Sequence, residues 1–337
     1  MTKLKTSYLG LELKNPLIMG ACNLTLDLDT ARRIEDAGAS AIVYKSLFEE
    51  QINLESLQME EDMAEYEERN AEMIRLFPSL KHAGPVEHLD GLARLKQAVC
   101  VPVIGSLNCT VHVTWEKYAL EMEQTGVDAI ELNFYSNPLS AAQDAAGVEQ
   151  EQLAIVAELK EKLKIPVSAK ISQFYTNPLA FVKALDKAGV SGVVLFNRLF
   201  HPDIDLESID HYFPFNLSQP GDYRLPLRFA GLLYKDISAD ICSNSGIMSG
   251  SDMVRMLLAG AGCVQVVSTV YRNKVGHISV MLQEMEQWME KNGFASLDDF
   301  RGMLSRSGSK DPYAYQRAQY VDLLMKPLAL MKKYPQV

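Results

Sequence analysis

Eight short apolar runs, each closing on small or polar residues, constrain this 337-residue chain more than anything else in it. They are Pro16–Ala21, Ala41–Ser46, Val101–Leu107, Asp128–Phe134, Val167–Ser172, Gly192–Asn197, Asp240–Asn244 and Gly262–Ser268. Their length and their share of β-branched residues suit buried strands. Helix-like segments lie between them: Asp29–Gly38, Trp115–Gly126, Asn177–Gly189 and Ser251–Gly260, each ending on glycine. A helix, a glycine and then an apolar run make the helix-to-strand step of a parallel sheet. Eight such steps predict a closed (β/α)8 TIM barrel rather than an open doubly wound sheet.

Barrels of this kind commonly run about 250 residues or more as one unit. We therefore expect one domain over residues 1–337, with a tail from about residue 311 forming an amphipathic helix. That tail would pack on the barrel or make a subunit contact. Two connections are long. Leu47–Cys100 follows the second run and carries the acidic stretch Met59–Arg69, a candidate solvated helix; Arg198–Arg224 follows the sixth and is rich in His, Asp, Pro and aromatics. Both leave strand ends, on the face where barrel active sites sit, and long loops inside a compact domain are often functional.

Composition removes several classes of function. Hydrophobic residues are 47% and charged residues 23%, which excludes a disordered chain. The net charge is −10, a poor surface for neutralising nucleic-acid phosphates or docking on anionic lipid. No apolar run has signal-peptide length near Met1, and none reaches the ~18 residues of a membrane span. A cytoplasmic protein is the expectation. The five cysteines, Cys22, Cys100, Cys109, Cys242 and Cys263, are scattered and never spaced C-x-x-C. That argues against a disulfide framework, a zinc site or an iron–sulfur cluster, so no metal is expected. No G-x-G-x-x-G follows a strand, which argues against a dinucleotide-binding unit within the chain.

The strand ends offer Lys45-Ser46, Asn108, Asn133 with Ser136, Lys170, Asn197, Ser245-Gly246 and Ser268-Thr269. One such lysine alone would suggest only a barrel-lining salt bridge. Two lysines and three asparagines at successive strand ends form a ring suited to a polar, anionic, planar ligand. After the seventh and eighth runs, Ser243–Ile247 and Ser268-Thr269-Val270 supply small residues whose N–H groups suit phosphate oxygens, at the usual barrel phosphate position. Ordinary loop and cap chemistry is the plainer alternative.

From about Leu9 to Leu304 the sequence resembles the dihydroorotate dehydrogenase family, including the related domain of dihydropyrimidine dehydrogenase. The marks are Asn15-Pro16, Tyr44-Lys45-Ser46, Glu131-Leu132-Asn133-Phe134, Ala169-Lys170, Asn197, Ser245-Gly246-Ile247, and Leu257–Ala261 leading into Val264-Gln265-Val266. The resemblance implies FMN at the barrel mouth. Ala21, Cys22 and Asn23 would pass along the flavin, with Lys45 and Ser46 near its redox edge. Asn108 and Asn133 would hydrogen-bond the ring or the substrate, and Asn197 belongs to the same set. Lys170 would sit at the pyrimidine end, where a cation stabilises the charge of reduced flavin. Ser245, Gly246, Ser268 and Thr269 would hold the phosphate. The family oxidises a C–C bond to C=C, a base taking a proton while hydride goes to flavin N5. Ser136 falls on the base position and, as a serine, would need a water or a relay. The resemblance also implies a homodimer.

Three departures fall mostly on the substrate side. The loop Tyr135-Ser136-Asn137-Pro138 inverts the family's Pro-Asn order. No Asn-x-x-Gly segment, which in the family grips a carboxylate, occurs between Gln51 and Cys100. Ser245 replaces the first glycine of a Gly-Gly pair, and Gly221–Pro226 replaces a glycine-rich turn; Arg224 or Arg228 would be available to add charge. We therefore expect a retained flavin half and an altered substrate half. The absence of a helical hairpin before the barrel argues against the membrane-bound, quinone-using class. Fumarate, oxygen or a separate protein remain open as oxidants. Two rival readings are a Schiff-base aldolase using Lys170 with a sugar phosphate, and a flavin-binding protein without turnover.

Overall fold

A computed structural model describes residues 4–52, 85–135, 142–198, 202–214, 217–325 and 332–333. The eight predicted runs form eight parallel strands: β1 (Leu17–Met19), β2 (Ala41–Val43), β3 (Val103–Asn108), β4 (Ala129–Asn133), β5 (Val167–Ile171), β6 (Gly192–Leu195), β7 (Asp240–Ser243) and β8 (Cys263–Val266). Each pairs with the next, and β8 pairs with β1 through Gln265 opposite Ile18, so the sheet closes into a (β/α)8 barrel. Most observed strands are shorter than the predicted runs because the last residues leave the ladder to form the mouth.

Helices cover the outside: α1 (Leu28–Asp36), α2 (Val86–Ala98), α3 (His112–Gln124), α4 (Ala145–Lys162), α5 (Pro178–Ala188), α6 (Arg224–Leu233), α7 (Gly250–Ala259), the short α8 (Ser268–Asn273) and α9 (His277–Asn292). Local chemistry fixes their ends. Asp27 accepts from Thr30 N to start α1, and Ser249 and Asp252 form a reciprocal capping box on α7. Gly260 ends α7 at φ +119, where a Cβ would lie 2.5 Å from Tyr234 Cβ. In α9, Ile278, Met281, Met285 and Met289 recur at helical spacing and are all fully buried against the barrel.

An antiparallel hairpin, Thr6–Tyr8 with Leu11–Leu13, closes the N-terminal end of the barrel. Tyr8, Leu9 and Leu13 pack against Ile18, Val43, Ile104, Val194, Cys242 and Cys263 inside it. Leu9 N donates to Asp240 Oδ2 at 2.8 Å, and Leu9 Cδ2 fills the space beside Gly192. Between β6 and α6 an exposed hairpin pairs Asp203–Asp205 with Asp210–Tyr212. The acidic stretch Met59–Arg69 lies outside the described residues. The expected tail helix is broken into a 3-10 turn, Pro312–Tyr315, and a helix, Ala318–Leu324. Pro312 stands at the first position of the turn, where its missing N–H costs nothing, and Gln316, extended at φ −90 and ψ 156, separates the turn from the helix. No helix among the described residues is long and apolar enough to cross a membrane.

Candidate functional site

Successive residues of a strand face opposite sides, so every second residue points into the barrel. Read upward, the interior changes character. β4 presents Ala129, Glu131 and then Asn133; β3 presents Ile104, Ser106 and then Asn108; β5 presents Ser168 and then Lys170. The lower layer is apolar and sealed by the N-terminal hairpin, and the upper layers are polar and lie toward the C-terminal mouth.

At the polar layer, contacts cross the barrel. Gln265 Nε2 on β8 donates to Glu131 Oε2 on β4 at 2.5 Å. These strands stand opposite each other in the ring. Lys170 Nζ on β5 donates to Gln265 Oε1 at 3.4 Å and lies 3.5 Å from Glu131 Oε1. Glu131 is fully buried and Lys170 nearly so. Glu131 Oε1 has no hydrogen-bond partner among the described residues. Charges this deep persist only when paired.

A second chain of contacts runs along the mouth. Ser46 and Ser106 hydroxyls are 2.7 Å apart; Asn133 Nδ2 reaches Ser46 Oγ at 3.5 Å, and Asn197 Nδ2 donates to Asn133 Oδ1 at 2.6 Å. Asn197 Oδ1 in turn accepts from Arg198 N at 3.0 Å. With its oxygen engaged, Asn133 is held in one amide orientation. Asn108 is buried at the end of β3, and Phe48 pairs beside it.

Above Lys170 a cavity opens whose wall includes Ala21, Asn197, Arg198, Ser245, Gly246 and Ser268. Ser245 and Gly246 adopt φ of +74 and +70 in succession. A Cβ on Gly246 would lie 2.5 Å from Tyr223 N and 2.8 Å from Asp222 Cβ, so only glycine fits there without a shift. Ser245 Oγ donates to Phe196 O at 3.2 Å, and Ser268 Oγ accepts from Ser218 N at 3.0 Å. Thr269 is buried and spends its hydroxyl on Met248 O at 3.2 Å. The arginine on this cavity is Arg198, which also bonds Asp222 Oδ2 at 2.7 Å. Arg228 instead donates to Tyr315 O at 3.0 Å.

Beside Ala21, the loop after β1 turns at Cys22 into a 3-10 turn, Asn23–Thr25, with Asn23 exposed. Burial pushes the Cys22 thiol above its ordinary value, which leaves it protonated at neutral pH. Thr25 Oγ1 accepts from Lys45 N at 3.0 Å, tying this loop to the one after β2.

Lys45 lines a different cavity, with Tyr44, Gln51, Glu87, His88 and Arg94. Burial, with the Lys45 cation next, lowers the His88 imidazole to about 4, so it is neutral at pH 7. Four residues further on, buried Glu49 accepts from Thr110 N at 2.7 Å, Val111 N at 3.0 Å, and the hydroxyls of Thr110 and Thr114 at 3.0 and 2.9 Å. Burial alone would raise this carboxyl, but the four donors outweigh it and leave it below its ordinary value. The acid thereby clamps the β2 loop onto the start of α3.

The fold thus gathers Ala21, Lys170, Asn197, Ser245, Gly246 and Ser268 on one cavity. Ser46, Asn108 and Asn133 lie in the mouth beside it, and Lys45 stands on another wall. Ser136 lies outside the described residues. Sequence reasoning passed over Glu131 and Gln265 as partners, Ser106 and Arg198. The available signal was a polar residue at an inward position of an otherwise apolar strand, as in Ala129–Asn133 and Cys263–Val266.

The sequence model described as dihydroorotate dehydrogenase matches residues 79–289, more than half of the chain. A relative from Thermoplasma volcanium named dihydroorotate dehydrogenase B (NAD(+)), catalytic subunit, is 26% identical over 90% of this chain and 99% of its own. One of the same name from Methanocaldococcus jannaschii is 26% identical over 89% of this chain and 97% of its own. The chloroplastic dihydropyrimidine dehydrogenase (NADP(+)) of Arabidopsis thaliana is 26% identical over 56% of this chain and 48% of its own. With a closed barrel carrying its polar layer at the C-terminal mouth, and a family match over β3 to β8 of that barrel and more than half of the chain, the chain belongs to the dihydroorotate dehydrogenase family of oxidoreductases.

Proposed function

We propose that this chain oxidises a dihydropyrimidine, dihydroorotate or a close analogue, on FMN bound in the barrel mouth. The observation that carries the reading is one cavity with a buried cation, Lys170, on its wall together with the Ser245-Gly246 turn and Arg198. FMN needs those two features at its two ends: a cation beside the pyrimidine edge and a close-approach cradle for phosphate. The donor set suits the group. Short side chains and a glycine that tolerates no Cβ let backbone come near the phosphate, with a guanidinium beside it.

FMN, when bound, supplies the hydride acceptor. The rest falls to the chain's own residues. Lys170 holds positive charge where the reduced ring gathers negative charge. Asn133, with its oxygen fixed by Asn197, turns its amide nitrogen toward Ser46. Ala21, Cys22 and Asn23 would border the ring, Asn108 and Ser46 would face the reacting edge, and Ser268 and Thr269 would complete the phosphate end. Lys45, expected near the redox edge, lines a separate cavity, and we assign it to the substrate side of that edge. Ser136 takes the proton from carbon. A homodimer working in the cytoplasm is part of the same reading, and the naming of its relatives as catalytic subunits supports a partner protein as the route for electrons.

The missing Asn-x-x-Gly segment favours a second substrate reading within the same chemistry, a dihydropyrimidine without the carboxylate. Aldolase chemistry needs a free amine as nucleophile, whereas Lys170 is engaged by Gln265 and Glu131. An anaerobic absorbance scan before and after dihydroorotate tests the proposal. A flavin spectrum that bleaches supports it. A spectrum that stays oxidised with dihydroorotate but bleaches with dihydrouracil moves the substrate. No flavin after FMN is supplied overturns the reading.

A further inference from the structure

Lys170 does not meet the cavity as a lone cation. Behind it stands Glu131, fully buried, with Oε1 3.5 Å from Nζ; that oxygen, unlike Oε2, has no hydrogen bond among the described residues. Gln265 bridges them, giving Nε2 to Glu131 Oε2 and Oε1 to Lys170 Nζ. The bridge has one consistent orientation. A carboxylate accepts only, so the amide nitrogen must face Glu131, and the amide oxygen is then left for the lysine. The three residues come from β4, β8 and β5, on opposite sides of the barrel. An apolar residue at 131 would fill a barrel interior as well, and a buried ion pair is weak evidence for stability.

We infer that Glu131 is a positioning residue that sets how much positive field Lys170 delivers into the site, with Gln265 holding both in register. The inference rests on FMN being the occupant. The carboxylate opposes the lysine's charge and repels charge gathering on the reduced ring. It therefore holds the reduction potential of the bound cofactor below what Lys170 alone would give. Burial strengthens both effects, since a low-dielectric interior screens poorly.

The test is the midpoint potential of bound FMN, measured by anaerobic dye equilibration. Glu131→Gln keeps the shape and removes the charge. It should favour the reduced over the oxidised cofactor by about tenfold or more, a rise of about 30 mV for a two-electron couple. Glu131→Asp keeps the charge and loses a methylene, and its potential should stay near that of the starting protein. If both variants shift alike, or neither shifts, or Glu131→Gln lowers the potential, the role is structural and the inference fails. Should Glu131→Gln not fold, Lys170→Gln is compared with Lys170→Gln/Glu131→Gln. The double variant should lie above the single one, and equal potentials overturn the inference. Failure of the unaltered protein to bind FMN refutes the cofactor reading instead, so the two failures separate.

Discussion

Lys170 and Lys45 are both strand-end lysines, yet the fold treats them differently. Lys170 lies inside the barrel beside a buried carboxylate and an amide that only its own strands could bring there. Lys45 lies at the end of β2 on a cavity shared with Arg94 and a neutral His88, with Glu87 as the acid on that wall. One cation is offset from within; the other shares its wall, among the described residues, with one further cation and one acid. The first suits a permanent, planar occupant whose charge changes in place. The second suits an anionic molecule that comes and goes. A site of this kind divides into a fixed half built on strands and a variable half built on loops, and substrate choice can change while cofactor binding stays.

That division can be broken most sharply at Ser136. Ser136→Ala should slow substrate-driven flavin reduction by roughly 10²–10⁴, the usual worth of a general base, with FMN affinity unchanged. An unaltered rate in stopped-flow absorbance removes Ser136 from the chemistry. On the fixed half, Gly246→Ala puts a Cβ 2.5 Å from Tyr223 N at φ +70. It should destabilise the protein by about 1–3 kcal/mol, the cost of such backbone strain, and weaken FMN binding. A melt and a fluorescence titration that both match the parent would show the turn to be forgiving.

Exchanging the two lysines for alanine compares the halves directly. Lys170→Ala should weaken FMN binding or slow its reduction by about tenfold, the scale of one charge-assisted hydrogen bond. Lys45→Ala should leave FMN binding within about twofold by that same scale and raise the substrate KM. If Lys45→Ala strips FMN as well, the division is wrong. The smallest effect concerns acid. The His88 value in the fold, about 4, is below the ~6.5 of an unfolded chain. Protonation thus favours unfolding: stability is full above ~6.5 and falls as pH drops toward about 4. His88→Phe should flatten that part of the stability–pH curve, followed by denaturant melts; an unchanged slope would assign the acid sensitivity elsewhere.

The barrel itself was legible because each strand announces itself locally as an apolar run, four of them shortly after a helix-ending glycine. Asp29–Gly38 and Ser251–Gly260 mark helices the same way and match α1 and α7 within two residues. Asn177–Gly189 brackets α5 just as closely. Helices that end without a glycine, α2, α4 and α6, were passed over, since their apolar faces are set by the barrel they cover. The site was half legible. Lys170, Asn133 and Ser245-Gly246 stand at strand ends and could be read in order. The Glu131–Gln265 contact joins residues 134 positions apart, and only closure of the ring makes them neighbours. Arg198 follows Asn197 directly in sequence, but its place on the cavity depends on the path of the chain after β6. The tail read as one amphipathic helix because its pattern is helical; the extended backbone at Gln316 interrupts it.

The N-terminal hairpin that fills the underside of the barrel has a kinetic consequence. With Tyr8, Leu9 and Leu13 packed into the lower opening, the doorway of the polar layer among the described residues is the C-terminal mouth. Under the proposed function, a small-molecule oxidant would share that doorway with the molecule that gives electrons, and the two would use it in turn, whereas a partner protein taking electrons from outside would not. Product has to clear before the oxidant is served. Such alternation gives ping-pong behaviour, visible as parallel lines when reciprocal rate is plotted against reciprocal donor at several acceptor concentrations.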